Sequence, residues 1–278
     1  MKTRLLSLSV RWVACLVALG CLGQSRIPSA PGLEQLTPEQ GQAFLAGFRT
    51  ARLNSAMCLR FEIVHKPRQG ESLAPIRGTL WAASHGDAQL LRGEVDDAQG
   101  KPAFAFITMK SGKDARVWIS RNGAPAQELD AKAPLIPLAE GLLLTPFDLQ
   151  LPFTHWPATA YLNTEKRRRP VHVFDALNQI GHEPSKVNYA IDHAYGVLIQ
   201  ATCFDVNGRK TRTMQVEEFS KVDEQWMLAA CSVRDEVTRD ADLLRITEAA
   251  LGDLRGSSVF EPATLAQPAP RPATFKKL

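Results

Sequence analysis

The sequence predicts a mainly β protein with short helices. The expected architecture is one strongly curved antiparallel sheet, or half-open β-barrel, covered by helices on its apolar face. Three observations lead there. Short segments that alternate apolar and polar residues recur from Met57 to Thr247, separated by turns bearing Gly, Asn or Asp, which is the spacing of a meander. One stretch, residues 131–160, abandons that period of two, carries five prolines and is rich in Leu and aromatics. A hairpin around Asn207-Gly208 allows its register to be written in advance.

In that hairpin a two-residue type I′ turn at Asn207-Gly208 sets Val206 opposite Arg209, Asp205 opposite Lys210, Cys203 opposite Arg212, Ala201 opposite Met214 and Ile199 opposite Val216. Val197, Ile199, Ala201 and Cys203 then share an apolar face with Met214 and Val216, while Gln200, Thr202, Thr213 and Gln215 share the wetter one. The Asp205–Lys210 pair would place opposite charges across the tip. A further turn at Asp223-Glu224 brings Cys231 and Val233 beside Val216 and Met214. Arg212, an Arg on an apolar face, is expected to pair with Asp235.

The remaining elements follow in chain order. Lys2, Arg4 and Arg11 precede the apolar run Trp12–Leu22, a signal-peptide pattern too short to span a membrane comfortably. Two endings are open: Ala18-Leu19-Gly20-Cys21 resembles a lipobox that would lipidate Cys21, or cleavage follows a small residue such as Ser25. Residues 26–36 form a spacer. Thr37-Pro38-Glu39-Gln40 combines an N-cap, a Pro at the first helical position and a Gln three residues on. It starts a helix that presents Phe44, Leu45 and Phe48 and ends near Asn54. Strands are expected at Met57–Ile63, Ile76–Ala83, Ala88–Val95, Ala103–Lys110, Ala115–Ser120 and Ala124–Leu129. Short helices then span Leu135–Leu144 and Pro146–Leu151, the second opened by Thr145-Pro146-Phe147-Asp148. Strands resume at Val171–Leu177, Lys186–Asp192, the meander just described, and Val237–Thr247. The domain therefore runs from 37 to 260 as a single unit, with a lid insert at about 131–160. The Pro-rich tail 261–278 should be extended or loosely docked.

Chemical signatures are sparse. The net charge of +4 is too small to argue for nucleic acid. There is no G-x-S-x-G, H-E-x-x-H, P-loop or C-x-x-C, so neither an enzyme nor a cofactor is expected. His172, His182, Glu183 and His193 lack metal-ligand spacing, so no metal is expected. Lys166-Arg167-Arg168-Arg169 reads as a solvated strand end rather than a site for anionic headgroups. Outside the signal region lie Cys58, Cys203 and Cys231. The last two sit on strands separated by a third, at least ~10 Å apart at ~4.8 Å per strand, so buried free thiols are expected rather than a bridge. A one-layer sheet with a single apolar insert can leave room for a ligand. Trp81, Phe104, Phe106, Trp118, Leu143, Phe147, Phe153, Ile199, Met214 and Val216 are the candidates to line that space.

Several stretches resemble the outer-membrane lipoprotein-sorting branch of the Lol lipoprotein-carrier superfamily. They are Asp148-Leu149 with Pro152-Phe153 and Trp156, then Phe204-Asp205 with Gly208-Arg209, then Lys221-Val222-Asp223 with Trp226. The likeness spans roughly residues 140–247. It implies a half-open barrel closed by helices, whose apolar cavity receives acyl chains of lipoproteins or lipids. Expected partners are acylated lipoproteins or lipids, a membrane surface and envelope transport proteins, in the periplasm or on a membrane through Cys21. Gly78-Thr79-Leu80-Trp81 fits a strand of the carriers, but Ser84 and His85 stand where they have Arg and Pro, so their lid latch does not carry over. The competing expectation is a structural or interaction lipoprotein of the cell envelope whose core is filled by its own side chains.

Overall fold

A computed structural model describes residues 34–51, 53, 55–97, 99–111, 114–130, 135–179, 181, 183–223, 225–252 and 257–278. The signal segment with Cys21, and His182, lie outside the described residues. The chain begins with α1 (Pro38–Thr50) and continues into β1 (Met57–Lys66), β2 (Ile76–His85), β3 (Ala88–Asp96), β4 (Pro102–Ser111), β5 (Asp114–Arg121) and β6 (Gln127–Glu128). After α2 (Pro146–Gln150) and a 3-10 turn at Pro152–His155 come β7 (Ala158–Lys166), β8 (Pro170–Leu177), β9 (Lys186–Asp192) and β10 (Leu198–Phe204). Then follow β11 (Lys210–Val222), β12 (Gln225–Asp235), β13 (Ala241–Leu251) and β14 (Lys276–Lys277).

All fourteen described strands join one antiparallel sheet, in the order β6-β5-β4-β3-β2-β1-β13-β12-β11-β10-β9-β8-β7, with β14 added to β13. The ends of that path, β6 and β7, are edges, so the sheet stays open. β12 and β13 pair over only five residues each, Ala230–Arg234 against Ala241–Arg245, and separate beyond them. There β14 takes up Glu248 and Ala249 of β13.

Local chemistry explains most boundaries. The Thr37 hydroxyl accepts from the Gln40 amide at 3.3 Å and the Gln40 side chain accepts from the Thr37 amide at 2.8 Å, closing the capping box that starts α1. The helix stops at Thr50 rather than Asn54, because Ala51 turns to extended backbone. It lies against β7, and a Cβ on Gly41 would sit 2.5 Å from Cβ and Cγ of Tyr161, so close approach requires glycine there. β7 itself was not expected. It is an edge strand with a bulge between Tyr161 and Asn163, and its burial does not alternate, so no period of two marks it. Residues 135–144 contain turns and no helix, unlike the expectation, whereas Thr145 does open α2. β13 begins four residues later than expected, since the Asp235 carboxylate accepts from the amides of Val237 and Thr238 at 2.7 and 2.9 Å and holds a turn.

The hairpin register is as expected along Gln200↔Gln215, Ala201↔Met214, Thr202↔Thr213 and Cys203↔Arg212, and Val216↔Cys231 and Met214↔Val233 follow. Its tip differs. The Gly208 amide donates to the Asp205 carbonyl at 3.0 Å, only Gly208 has positive φ at +75°, and the register slips so that Phe204 faces Lys210. This is a type I turn with a glycine bulge, the other geometry an Asn-Gly sequence accepts. Asp205 consequently pairs with Arg209 at 2.9 Å and not with Lys210. A second irregularity between Leu198 and Gln200 flips Ile199 off the apolar face. Ile199 packs with Val171, Val173 and Ala190, and Leu198 takes its place.

The sheet is covered on both faces. The main core lies on the face beneath α1 and the 135–156 insert, and it joins Phe61, Leu80, Phe106, Phe147, Phe153 and Tyr189 among others. The opposite face of β1 to β5 is covered by the C-terminal segment. Cys58 and Trp81 pack with Val259, Phe260 and Ala269, and Trp118 packs with Leu265. Arg92, 1% exposed, is bidentate to Glu94 and also donates to the Val259 and Gln267 carbonyls, while the Ala269 amide donates to Glu94 at 2.7 Å. The tail is thus a docked strap rather than a loose extension. Arg92 and Glu94 pair with each other and the tail supplies further partners to both, and buried charges are tolerated when paired in this way.

Candidate functional site

The candidate ligand face is the one beneath α1 and the insert, and strand parity decides which expected residues reach it. On β4, Phe104 and Phe106 point inward, followed by Thr108 and Lys110 at the same period. Phe147 and Phe153 come down from the insert, their ring centroids 5.9 Å apart, and Phe153 meets Tyr189 at 5.3 Å. Met214 is buried in this core, and Leu143 and Val216 pack against it half-buried. Trp81, Trp118 and Ile199 do not belong. Leu80 and Ala82 face inward, so Trp81 between them faces the strap and donates its indole N–H to the Pro270 carbonyl at 3.1 Å. Ile119 faces inward, so Trp118 faces out.

Two small cavities lie on this face among the described residues. One cavity of about 10 Å³ lies among Leu59, Leu149, Met227, Leu244 and Ile246. Another, of about 30 Å³, is lined by Leu53, Ala82, Gln89, Leu91, Lys110 and Leu149, among others. A water needs ~10–15 Å³ and ligand pockets run to ~300–1,000 Å³, so neither of these two cavities among the described residues has room for an acyl chain with the cover in this position.

Polar groups hold the cover down, and one of them, Arg212, has a different partner from the Asp235 expected. Arg212 does sit opposite Asp235 on the neighbouring strand. Its guanidinium, however, reaches across to α2, where Nε donates to Asp148 Oδ1 at 2.9 Å and Nη2 to Oδ2 at 2.5 Å, and it also donates to the Leu143 carbonyl. Asp148 in turn accepts from the Thr145 amide and hydroxyl at 2.8 and 2.7 Å. Asp242, fully buried on β13, accepts from the amides of Leu143 and Leu144 at 2.6 and 2.8 Å and bonds His65 Nδ1 at 2.7 Å. At the other end of α2, Lys110 Nζ donates to the Gln150 carbonyl at 3.1 Å. Arg49 of α1 donates to the carbonyls of Thr154 and Trp156 at 2.6 and 3.0 Å. Each of these contacts joins the cover to the sheet or to α1 through a charged side chain. The signal available in advance was the run Asp148-Leu149 behind a helix start, but it names no partner.

Beside α1 a second polar chain runs from His193 Nδ1 to His172 Nε2 at 2.7 Å. It continues from His172 Nδ1 to Thr164 Oγ1 at 2.9 Å and on to the Tyr161 hydroxyl at 2.7 Å. Burial, and then the neighbouring His193, push the His172 pKa down to about 4. Among the described residues no three His, Cys, Asp or Glu side chains form a metal-binding group. Of the basic run, Arg167 pairs with Glu165 at 2.5 Å and Arg169 with Asp192 at 2.9 Å. Cys58, Cys203 and Cys231 are free and buried, and burial pushes each thiol up to about 12.

This architecture defines a class, an open antiparallel sheet whose apolar face is covered by a helix and an insert, and solved structures share that fold. A domain described as an outer membrane lipoprotein-sorting protein domain, from Vibrio parahaemolyticus, is similar at TM-score 0.72 and 16% identity over 82% of this chain and 99% of its own. A DUF1329 family protein from Desulfovibrio piger is similar at 0.69 and 11% identity, over 82% and 98% of the two chains. A LolA superfamily protein from Nitrosomonas europaea is similar at 0.59 and 13% identity, over 81% and 98%. At these identities the likeness is one of fold. No protein-family model matches the sequence, and no curated protein matches it either. Among the described residues no helix is long and apolar enough to cross a membrane.

Proposed function

We propose that the protein is a non-enzymatic carrier or receptor of the cell envelope that takes up acyl chains of lipoproteins or lipids between the sheet and its cover. It would act after export, either free in the periplasm or tethered through a lipidated Cys21. The observation that carries this reading is how the cover is attached. Its undersurface is apolar, but discrete charged contacts secure it, Arg212 to Asp148 and Asp242 to the Leu143 and Leu144 amides. Such contacts can be released as a unit, and the apolar face then exposed is what an acyl chain would cover at ~0.8 kcal/mol per buried methylene. The fold shared with a lipoprotein-sorting domain and a LolA superfamily protein supports the same reading.

The two small cavities favour a second reading, a structural or interaction lipoprotein whose core is filled by its own side chains. The readings separate in a titration of mature protein with a fluorescent fatty acid, paired with native mass spectrometry of protein purified from membranes. A carrier binds the probe, and Arg212→Met, which frees the cover, binds it faster. If neither protein takes up the probe and no lipid co-purifies, the carrier reading is wrong.

A further inference from the structure

We propose that Lys110 is a headgroup site, and that the ligand of the covered face is an amphiphile with an anionic head, a carboxylate or a phosphate. This inference rests on the acyl-binding reading above and adds to it a polarity and a charge. Along β4 the inward positions run Phe104, Phe106, Thr108, Lys110, so the wall passes from aromatic to hydroxyl to cation within one strand. Thr108 is 1% exposed and Lys110 is 3% exposed, although lysines are almost never buried to this degree. The larger cavity lies directly against Lys110. Its other walls include Leu53, Ala82, Leu91, Leu149 and Gln89. An apolar recess bordered by an ammonium and by the polar residues Gln89, Thr108 and Gln150 has the recognition chemistry of a fatty tail ending in an anion.

One contact of Lys110 in the closed form gives the site a second consequence. Its ammonium donates to the Gln150 carbonyl at the end of α2, that is, to the cover. A ligand carboxylate or phosphate competes for that ammonium with the carbonyl, and it brings a full negative charge where the carbonyl brings only a partial one. Seating the headgroup therefore loosens the same end of the cover that must move for the tail to enter.

The test needs no variant at first. Palmitate, palmitate methyl ester and hexadecanol, each below its micelle concentration, are titrated at pH 8 into wild-type protein. Palmitate should bind roughly 10- to 100-fold tighter than the two neutral analogues, the range of one charged hydrogen bond. Lys110→Met should erase that preference while keeping the affinity for the ester, and Lys110→Arg should retain it. Hydrogen-exchange protection of Leu149 to Leu151 should fall on palmitate binding in the wild type. Lysophosphatidic acid run beside palmitate distinguishes the source, since the tighter of the two names phosphate or carboxylate as the natural head. Equal affinity for palmitate and its ester would overturn the headgroup site and leave the acyl reading standing. Failure of all the ligands to bind would instead remove the acyl reading itself.

Discussion

Arg212 and Asp148 form the most consequential contact between cover and sheet, and its strength can be worked out. The pair is bidentate at 2.9 and 2.5 Å, with side-chain exposures of 16% for Arg212 and 4% for Asp148. Removing one partner of a buried pair destabilises by ~3–5 kcal/mol because the other charge is left uncompensated. In Arg212→Met the carboxylate keeps its two Thr145 donors, which places the effect at the low end, about 3 kcal/mol. For a chain of this size that corresponds to a fall in Tm of roughly 6–12 °C. Urea unfolding of wild type, Arg212→Met, Asp148→Asn and the double variant closes a thermodynamic cycle. The double variant should be less destabilised than the sum of the singles by at least ~1.5 kcal/mol, since the second change removes the charge the first one stranded. Native-state hydrogen exchange should at the same time show the amides of 143–151 opening first, with those of β12 and β13 still protected. Singles that add within ~0.5 kcal/mol would show that the two side chains do not act as one latch, and the argument for a releasable cover would fall with them.

Three further outcomes are expected. His172 titrates near 4 in the folded protein and near 6.5 unfolded, so the unfolded chain binds more protons between those values. Stability should therefore decline as pH falls from about 6.5 toward 4, by on the order of 2–3 kcal/mol, and a His172→Asn variant measured by urea titration should flatten that slope. Gly41→Ala should lower stability by ~1–3 kcal/mol despite alanine's better helix propensity, because the added methyl meets Tyr161 at 2.5 Å. An unchanged or raised Tm would show that α1 can shift away from β7 without loss. Cys203 and Cys231 should resist alkylation at pH 8 until the protein unfolds, as thiols held at about 12 carry almost no thiolate, and peptide mapping of the labelled protein reads this directly.

What could be read in advance divides by range. The Asn-Gly dipeptide placed a turn and, with the alternation on either side, a register correct from Gln200 to Cys203. The type I′ turn expected there was the wrong one of the two tight turns such a dipeptide accepts, and the Asp205 carboxylate, gathering the Asn207 and Arg209 amides, favours the bulged one. Faces were harder than strands. Trp81 and Trp118 are as apolar as Phe104 and Phe106, and one step of parity puts them on the other side of the sheet. Ile199 lost its face to a bulge that no residue type announces. The latch was out of reach altogether, since Asp148 lies 64 residues before Arg212 while the strand neighbour Asp235 offers a plausible carboxylate. The strap likewise became visible only with the strands in place, because a Pro-rich tail has no period to follow and its anchor, Arg92, looks like any charged residue within a strand.

The short pairing between β12 and β13 divides the sheet into two wings. One wing is β6 to β1 with β13, backed by the strap, and the other is β12 to β7, against which α1 lies. Five rungs join them, where β1 and β13 share ten. Stiffness against folding along that line scales with the rungs that cross it, and at the centre of the sheet five do, as between β10 and β11. Leu149 of the cover contributes to both cavities, and the smaller one lies between Met227 on one wing and Ile246 on the other. A bend along this line would change the width of the space under α2 while leaving the pairs within each wing intact, without any strand unfolding.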